Sequence, residues 1–247
     1  MKIIFITPYY KEPRELIEKN IQSVKRQTHK CDHLLIAEGF PQDWINEIDG
    51  VRHIKLDQAH ADYGNTPRAI GGLLATSEGY DAIGMLDADN WLEPEHVETC
   101  ISAAKNSEYG LTKTDYVIAQ RNFRRPDDTI MPIPEEPNHV DTNCFFFLRG
   151  SFHVLPHWGL MPREISGVGD RIFHSMIKSK NLKFATNIPK TVNYLSLWKS
   201  HYSLLGEQPP IDSKENINSD EIISWILNQS SHQQKITNNL CGIKINV

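Results

Sequence analysis

Two acidic residues separated by one position, Asp87 and Asp89, form the clearest chemical motif of this sequence, and no other Asp-x-Asp occurs in it. They follow an apolar run that ends at Leu86, where a strand gives way to a turn. Carboxylate pairs of this kind suit Mg²⁺ or Mn²⁺, which also recruit phosphate oxygens and water. The motif therefore predicts a cation that neutralises a departing diphosphate. Two solvated turn aspartates, or a helix cap, remain the alternative for such a short pattern.

Alternating strand and helix patterns position this motif. Apolar runs predict four strands, at residues 2–6, 33–37, 51–56 and 81–86. Helical spacing after Pro13, after Thr66-Pro67 and after Glu93-Pro94 predicts the helices between and beyond them, with Thr66 as an N-cap and Gly79 at a helix end. This rhythm favours a parallel sheet with ligands outside the carboxyl ends of its strands. Asp57, directly after the third strand, is a pocket candidate on that argument.

The second half of the chain is less regular. The sequence predicts strands at 116–119 and 144–148, helices at 170–177 and 221–227, and a proline- and charge-rich loop at 124–137. The last dozen residues carry little signal.

Composition bounds the function. The 247 residues suit one α/β domain with at most a small appendage. A net charge of −5 without a Lys or Arg run argues against a nucleic-acid partner. No stretch is long enough to span a bilayer, and the four cysteines lack a Cys-x-x-Cys pair. We therefore expect a cytoplasmic protein with reduced cysteines; peripheral association with the inner membrane face stays open.

Several segments, in order, resemble the family-2-type glycosyltransferases with a GT-A fold. These are residues 7–12 after the first strand, the glycine- and arginine-containing residues 64–71, the Asp-x-Asp motif, residues 167–173 at a helix start, and residues 194–201, which end in a histidine. The match spans roughly residues 1–205, and the order of the segments is more specific than any one of them.

The resemblance implies a Rossmann-like, mostly parallel central sheet flanked by helices, with a smaller mixed acceptor-side region. It divides the chain into a GT-A domain at 1–205, with a nucleotide-binding half at 1–120 and an acceptor half at 121–205, and a helical extension and tail at 206–247. The implied activity is metal-dependent, inverting transfer of a sugar from a nucleotide diphosphate, UDP above all, to an acceptor hydroxyl. Glycan, lipid-linked glycan and protein acceptors all remain open.

The resemblance also assigns roles to residues. Asp170 is the expected general base, which takes the proton of the attacking hydroxyl. His201 joins Asp87 and Asp89 as an expected ligand of Mn²⁺ or Mg²⁺. Arg68 suits a phosphate or a ribose. The nucleotide-sugar site is expected to comprise these residues: Thr7, Pro8, Tyr9, Glu38, Asp57, Asn65, Arg68, Asp87 and Ala88.

Two departures from the family pattern keep alternatives open. Ala37-Glu38-Gly39 stands where paired aspartates are common, although Glu38 can still accept a hydrogen bond from a base or ribose. Gly169 replaces the glutamate that usually precedes the base, which favours a non-catalytic glycan-binding or subunit protein. A sugar nucleotidyltransferase is the other alternative, but residues 7–12 contain no glycine for a phosphate loop.

Overall fold

The computed structural model describes residues 1–136 and 139–245 and contains a nine-stranded sheet with helices against it. Its strands are β1 Ile3–Tyr9, β2 Asp32–Glu38, β3 Val51–Leu56, β4 Ala82–Met85, β5 Trp91–Leu92, β6 Tyr116–Arg124, β7 Ile130–Met131, β8 Phe145–Leu148 and β9 Phe184–Leu195. Its α-helices are α1 Arg14–Lys25, α2 Asn65–Ser77, α3 His96–Asn106, α4 His157–Leu160, α5 Gly169–Ser179, α6 Lys199–Leu204, α7 Ser219–Leu227 and α8 Ser231–Cys241.

The first four strands form the parallel half of the sheet, in the order β3-β2-β1-β4. The apolar runs of β1, β2 and β4 are buried because helices cover the sheet, whereas the edge strand β3 is only partly buried. The close contact of α2 with β1 needs a small residue, since a Cβ at Gly71 would lie 2.7 Å from the side chain of Ile6. The carboxyl ends of all four strands consequently meet at one edge, as the sequence predicts.

The first strand is longer than predicted. Thr7, Pro8 and Tyr9 pair with β2 as part of β1, so the predicted end of the strand at residue 6 is wrong. Beyond Ile6 the strand has a neighbour on one side only, because β4 pairs with Ile3–Ile6. Proline lacks an N–H and is tolerated at such a one-sided position.

The second half of the sheet is mixed. Strand β8 lies antiparallel to β4 and to β6, and β6 runs parallel to β9. The aromatic run Phe145, Phe146 and Phe147 is fully buried and lies in the strand predicted at 144–148. The segment predicted as a loop at 124–137 contains the short strand β7, which pairs with the end of β6; Pro137 of that range lies outside the described residues.

Helix α2 begins two residues earlier than predicted. Thr66 is not its N-cap; the cap residue is Gly64, in the left-handed conformation. The side chain of Asp62 accepts hydrogen bonds from the backbone N–H groups of Asn65 and Thr66, at 3.0 and 2.8 Å. It therefore satisfies the helix start from outside the helix. Gly79, with φ +72°, follows the helix end as predicted.

The C-terminal segment contains two helices rather than one. Helix α7 is close to its prediction, but α8 was missed because its sequence is mostly polar. A capping box joins Ser230 and Gln233 at its start. All four cysteines are unpaired. Among the helices of the described ranges, none combines the length and apolar character required to cross a bilayer.

Candidate active site

A tight turn carries the acidic motif from β4 into β5. The backbone N–H of Asn90 donates to the carbonyl of Asp87 at 3.0 Å. Asn20, fully buried in α1, donates from its amide to the carbonyls of both Asp87 and Asn90 at 2.9 Å. Because these donors belong to a helix packed against the sheet, the turn has a fixed position at the carboxyl edge.

Both carboxylate oxygens of Asp87 already have protein partners. Arg68, 5% exposed, forms an ion pair with Oδ1. The amide of Asn143 donates to Oδ2 at 3.0 Å and accepts from the backbone N–H of Asp87 at 2.5 Å. Asp87 is therefore held on both sides before any ligand binds.

The partners of Asp87 continue into a buried network. Asn143 also donates to Asp141 at 2.7 Å, and Asp141 pairs with Arg121 at 2.8 Å. Arg121 in turn contacts Glu135 at 3.1 Å. Burial alone would lower the pKa of Arg121, but the neighbouring carboxylates raise it above its ordinary value. Arginine therefore remains charged in the interior and ties the acidic motif to β6.

Asp89 has a different environment. Its side chain is 16% exposed, and its ion-pair partner among the described residues is the ammonium of Lys214, 3.4 Å from Oδ2. Burial raises its pKa to about 6, with Lys214 acting against the rise and Asp87 and Glu12 adding to it. Unlike Asp87, Asp89 pairs with a cation but accepts no hydrogen bond from a neutral donor among the described residues.

Lys214 reaches this position through a backbone bridge. Its N–H donates to the carbonyl of Leu197 at 2.6 Å, and its own carbonyl accepts from Lys199 at 3.1 Å. The bridge pairs Lys214 with Trp198 in parallel orientation. The segment after α6 consequently returns across the acidic motif.

Asp170 lies in the first turn of α5. Its Oδ2 is 2.7 Å from Nε2 of His139, and its Oδ1 accepts from the backbone N–H of Arg171 at 2.7 Å. The side chain is 20% exposed, so a hydroxyl can reach it. This environment is compatible with a base that must stay accessible to an acceptor.

One residue links the start of α5 to the acidic motif. A Cβ at Gly169 would lie 3.0 Å from the amide nitrogen of Asn65. Asn65 accepts from Arg68 at 3.3 Å, and Arg68 contacts Asp87. The helix starts that carry Asn65 and Asp170 are therefore adjacent, and the motif and the expected base share one region. The space that a glutamate would take at position 169 borders Asn65.

His201 lies beside this region but is not paired with either motif aspartate. Its Nδ1 is 2.7 Å from the hydroxyl of Ser196, and its ring packs edge-on against Phe123. Burial, and then the charge of Arg121, lowers its pKa to about 4, so the ring is neutral at pH 7. Among the described residues no three His, Cys, Asp or Glu side chains form a ready metal cage. The role of His201 as a metal ligand stays a prediction.

The residues expected to bind the nucleotide divide into buried and accessible ones. Thr7 is fully buried and bonds His33 at 2.8 Å, and Tyr9 is 2% exposed with its hydroxyl 2.7 Å from His53. Ala88 packs with Tyr9 in the core. The side chains of these three residues point into the fold, and their contacts with a nucleotide stay predictions. Pro8 lies against Gly64 at the start of α2.

Glu38 and Asp57 end their strands at the same edge. Glu38 is 5% exposed, and its Oε1 accepts from the backbone N–H of His60 at 2.8 Å. Burial raises the pKa of its carboxyl. Asp57 is exposed. Both residues lie at the carboxyl edge of the sheet, as expected, and their contacts with a nucleotide stay predictions.

An exposed aromatic pair at this edge was missed. The rings of Tyr10 and Phe40 meet edge to face with centroids 4.7 Å apart, and the ammonium of Lys11 lies 4.1 Å from the centre of the Phe40 ring. These residues follow β1 and β2, where ligands of parallel sheets bind. The sequence signal that could have identified these residues is their position directly after two predicted strands.

Comparisons with known proteins identify the family and the fold. The model for "Glycosyl transferase family 2" matches residues 4–165. The fold is similar to Staphylococcus aureus TarS 1-349 in complex with UDP-GlcNAc, with a TM-score of 0.62 at 12% identity, over 97% of this chain and 71% of that one. The complex of the same fragment with UDP gives 0.59 at 11% identity, over 97% and 70%. No curated protein matches the sequence significantly.

The chain therefore belongs to glycosyl transferase family 2. The predicted GT-A fold, with a parallel half continued by a mixed half and flanked by helices, is confirmed.

Proposed function

We propose that this protein is an inverting, divalent-metal-dependent transferase that moves a sugar from a UDP-sugar, or another nucleotide diphosphate sugar, to an acceptor hydroxyl. The observation that carries the proposal is the unequal pairing of the acidic motif. Asp87 is tied by Arg68 and Asn143, whereas the partner of Asp89 among the described residues is the cation of Lys214. UDP and UDP-GlcNAc in the TarS complexes support a nucleotide diphosphate sugar as donor.

The residues present fit a divalent ion shared with a diphosphate. Such an ion needs one or two carboxylates, with phosphate oxygens and water completing its ligands, so an all-protein cage is not required. Asp89 would hold it, with Asp87 alongside. When bound, Mn²⁺ or Mg²⁺ supplies positive charge that stabilises the leaving diphosphate.

Asp170 performs the proton transfer in this proposal. The acceptor oxygen forms its bond to the anomeric carbon while the bond from that carbon to the diphosphate oxygen breaks. The acceptor proton passes to the Asp170 carboxylate and afterwards to water. Attack from the face opposite the leaving group inverts the anomeric centre.

Binding and turnover test the proposal separately. We expect UDP to raise the melting temperature only with Mn²⁺ or Mg²⁺, because a ligand that binds the folded state stabilises it. Asp89→Asn should abolish this shift. Asp170→Asn should retain it but lose transfer from UDP-sugars to a panel of glycan, lipid-linked and peptide acceptors. NMR of the anomeric proton in the product should show inversion.

Asp128→Asn is a matched control, because Asp128 pairs with Lys19 at the surface and asparagine tolerates its φ of +66°. Full transfer in both Asp89→Asn and Asp170→Asn would overturn the mechanism. Pyrophosphate release from a nucleoside triphosphate would favour a nucleotidyltransferase. Glycan binding without metal or nucleotide would favour a binding module, the alternative raised by Gly169.

A further inference from the structure

His139 contacts the proposed base directly. Its Nε2 is 2.7 Å from Oδ2 of Asp170, and the two side chains are only 15% and 20% exposed. A carboxylate has no proton to donate, so the imidazole nitrogen must be the donor. The contact joins a residue preceding β8 to the first turn of α5, and neither the family resemblance nor the comparisons assign it a role.

The hydrogen bond restricts the orientation of the carboxylate. Oδ2 accepts from His139, and Oδ1 accepts from the backbone N–H of Arg171 at 2.7 Å. Each carboxylate oxygen has two lone pairs, so one on Oδ1 remains for a substrate hydroxyl. With its ring donor in place, Asp170 cannot rotate freely about its terminal bond.

A second carboxylate lies near the other nitrogen of the imidazole. Its Nδ1 lies 3.9 Å from Oε2 of Glu136, and the same oxygen accepts from Arg171 at 2.7 Å. Asp170 and Glu136 thus lie beside the two nitrogens of His139, and Arg171 balances the charge of Glu136. The ring is fixed between two elements rather than extended into solvent.

We propose that His139 is the positioning residue of the Asp170 base; this inference rests on the proposed function. Its Nε2–H fixes Oδ2 and presents the free lone pair of Oδ1 to the acceptor hydroxyl. The acceptor proton moves to Oδ1, and His139 keeps its own proton throughout. Base catalysis contributes a large factor only when the base lies within hydrogen-bond reach, so loss of this orientation lowers the rate of transfer.

Steady-state kinetics of the full chain distinguish positioning from a purely structural tie. His139→Phe keeps a planar ring but removes the donor. We expect its kcat for transfer to fall about ten- to a hundredfold. The KM for the donor and the metal-dependent melting shift with UDP should stay within about twofold of wild type, since the donor contacts other residues. His139→Gln should recover part of the rate, because its amide can donate to Oδ2.

Two further variants complete the test. Asp128→Asn, which breaks a surface pair with Lys19, is the control and should keep the wild-type rate. In an Asp170→Asn background, His139→Phe should add no further loss, because the two residues act as a unit. A wild-type kcat in His139→Phe, or additive losses in the double variant, would overturn the positioning role.

The experiment separates the two proposals. An inactive Asp170→Asn beside a fully active His139→Phe removes only the positioning inference. An active Asp170→Asn removes the proposed mechanism itself. If His139→Phe loses its UDP-induced melting shift, His139→Gln decides between a positioning role and a purely structural one. A purely structural role predicts a wild-type kcat for a folded His139→Gln variant.

Discussion

Lys214 faces Asp89 across 3.4 Å, so an ammonium group already lies beside the carboxylate proposed to hold the metal. A lysine and a divalent ion repel each other, so they cannot share one carboxylate oxygen without cost. Binding of the ion to Asp89 therefore competes with Lys214 whenever no nucleotide is present.

Lys214→Met should remove this competition. The pair is partly exposed, with Lys214 about half accessible, so its strength is about 1 kcal/mol at most. Mn²⁺ should consequently bind the nucleotide-free variant about two- to fivefold more tightly, as measured by calorimetry. Lys199→Met is the control, because Lys199 pairs with Glu215 and not with Asp89. Unchanged or weaker Mn²⁺ binding by Lys214→Met would show that the ammonium does not compete.

Asn143→Ala should weaken the site although Asn143 is not a proposed ligand. Its amide holds both the carboxylate and the backbone N–H of Asp87. Partners that orient metal or phosphate ligands typically contribute ten- to a hundredfold in affinity or activity, and we expect a loss of about that size in kcat/KM. Asn187→Ala, at another buried amide that accepts from the backbone N–H of Gln120 and donates to Thr191, should lower stability while leaving kcat/KM near wild type. Equal kinetic losses in both variants would contradict the specific role.

Asn143 was within reach of sequence reasoning. Strand β8 is antiparallel to β4, and its register pairs Gly84 with Phe146. Counting outward along both strands places residue 143 opposite residue 87. The sequence predicts both strands, at 81–86 and 144–148, but not that they are neighbours in the sheet. Pairing between strands that are distant in sequence leaves no local pattern.

Lys214 and β9 illustrate what local patterns cannot reveal. Lys214 reaches Asp89 only because the chain returns to Leu197 after α6, and nothing near residue 214 specifies that return. Strand β9 contains Asn187, Pro189 and Lys190, and its pairing with β6 shifts register there. These interruptions break the period-two pattern of a strand. Helix α8, in contrast, had a readable signal in its Ser230 and Gln233 capping box.

Arg121→Leu should be strongly destabilising. The guanidinium is 5% exposed and lies between Asp141 and Glu135, so its removal leaves a buried carboxylate without its charge partner. Losses of about 3–5 kcal/mol are typical of such a change. Arg125→Leu removes a comparable pair with Glu207 at the surface, where water screens the charges, and should cost much less. Urea unfolding of both variants measures the difference, and similar losses would show that burial does not control these pairs.

The acid sensitivity of the fold should come from buried histidines. His33 and His96 are each 2% exposed, and burial lowers the pKa of each to about 3, with Lys25 adding to the effect at His33. An unfolded histidine takes up a proton near pH 6.5. Above that pH both states are neutral, and stability does not depend on these groups. As the pH falls below 6.5, only the unfolded state binds the protons, so the folded state loses stability until the pH approaches 3.

At pH 5 each of these histidines should lower the free energy of unfolding by about 2 kcal/mol relative to pH 7.5, because the difference of roughly 1.5 pH units counts 1.36 kcal/mol per unit. His96→Gln removes one titrating group but can retain a hydrogen bond to Thr191, which lies 2.8 Å from the ring in the native chain. Urea unfolding at the two pH values should therefore give a difference about 2 kcal/mol smaller for His96→Gln than for wild type. Ser23→Ala deletes a buried hydroxyl that bonds the carbonyl of Asn20, without removing a titrating group. Ser23→Ala should lower the free energy of unfolding equally at both pH values. If it instead changes the difference between the two pH values as much as His96→Gln does, packing rather than proton uptake by the unfolded chain sets the acid response.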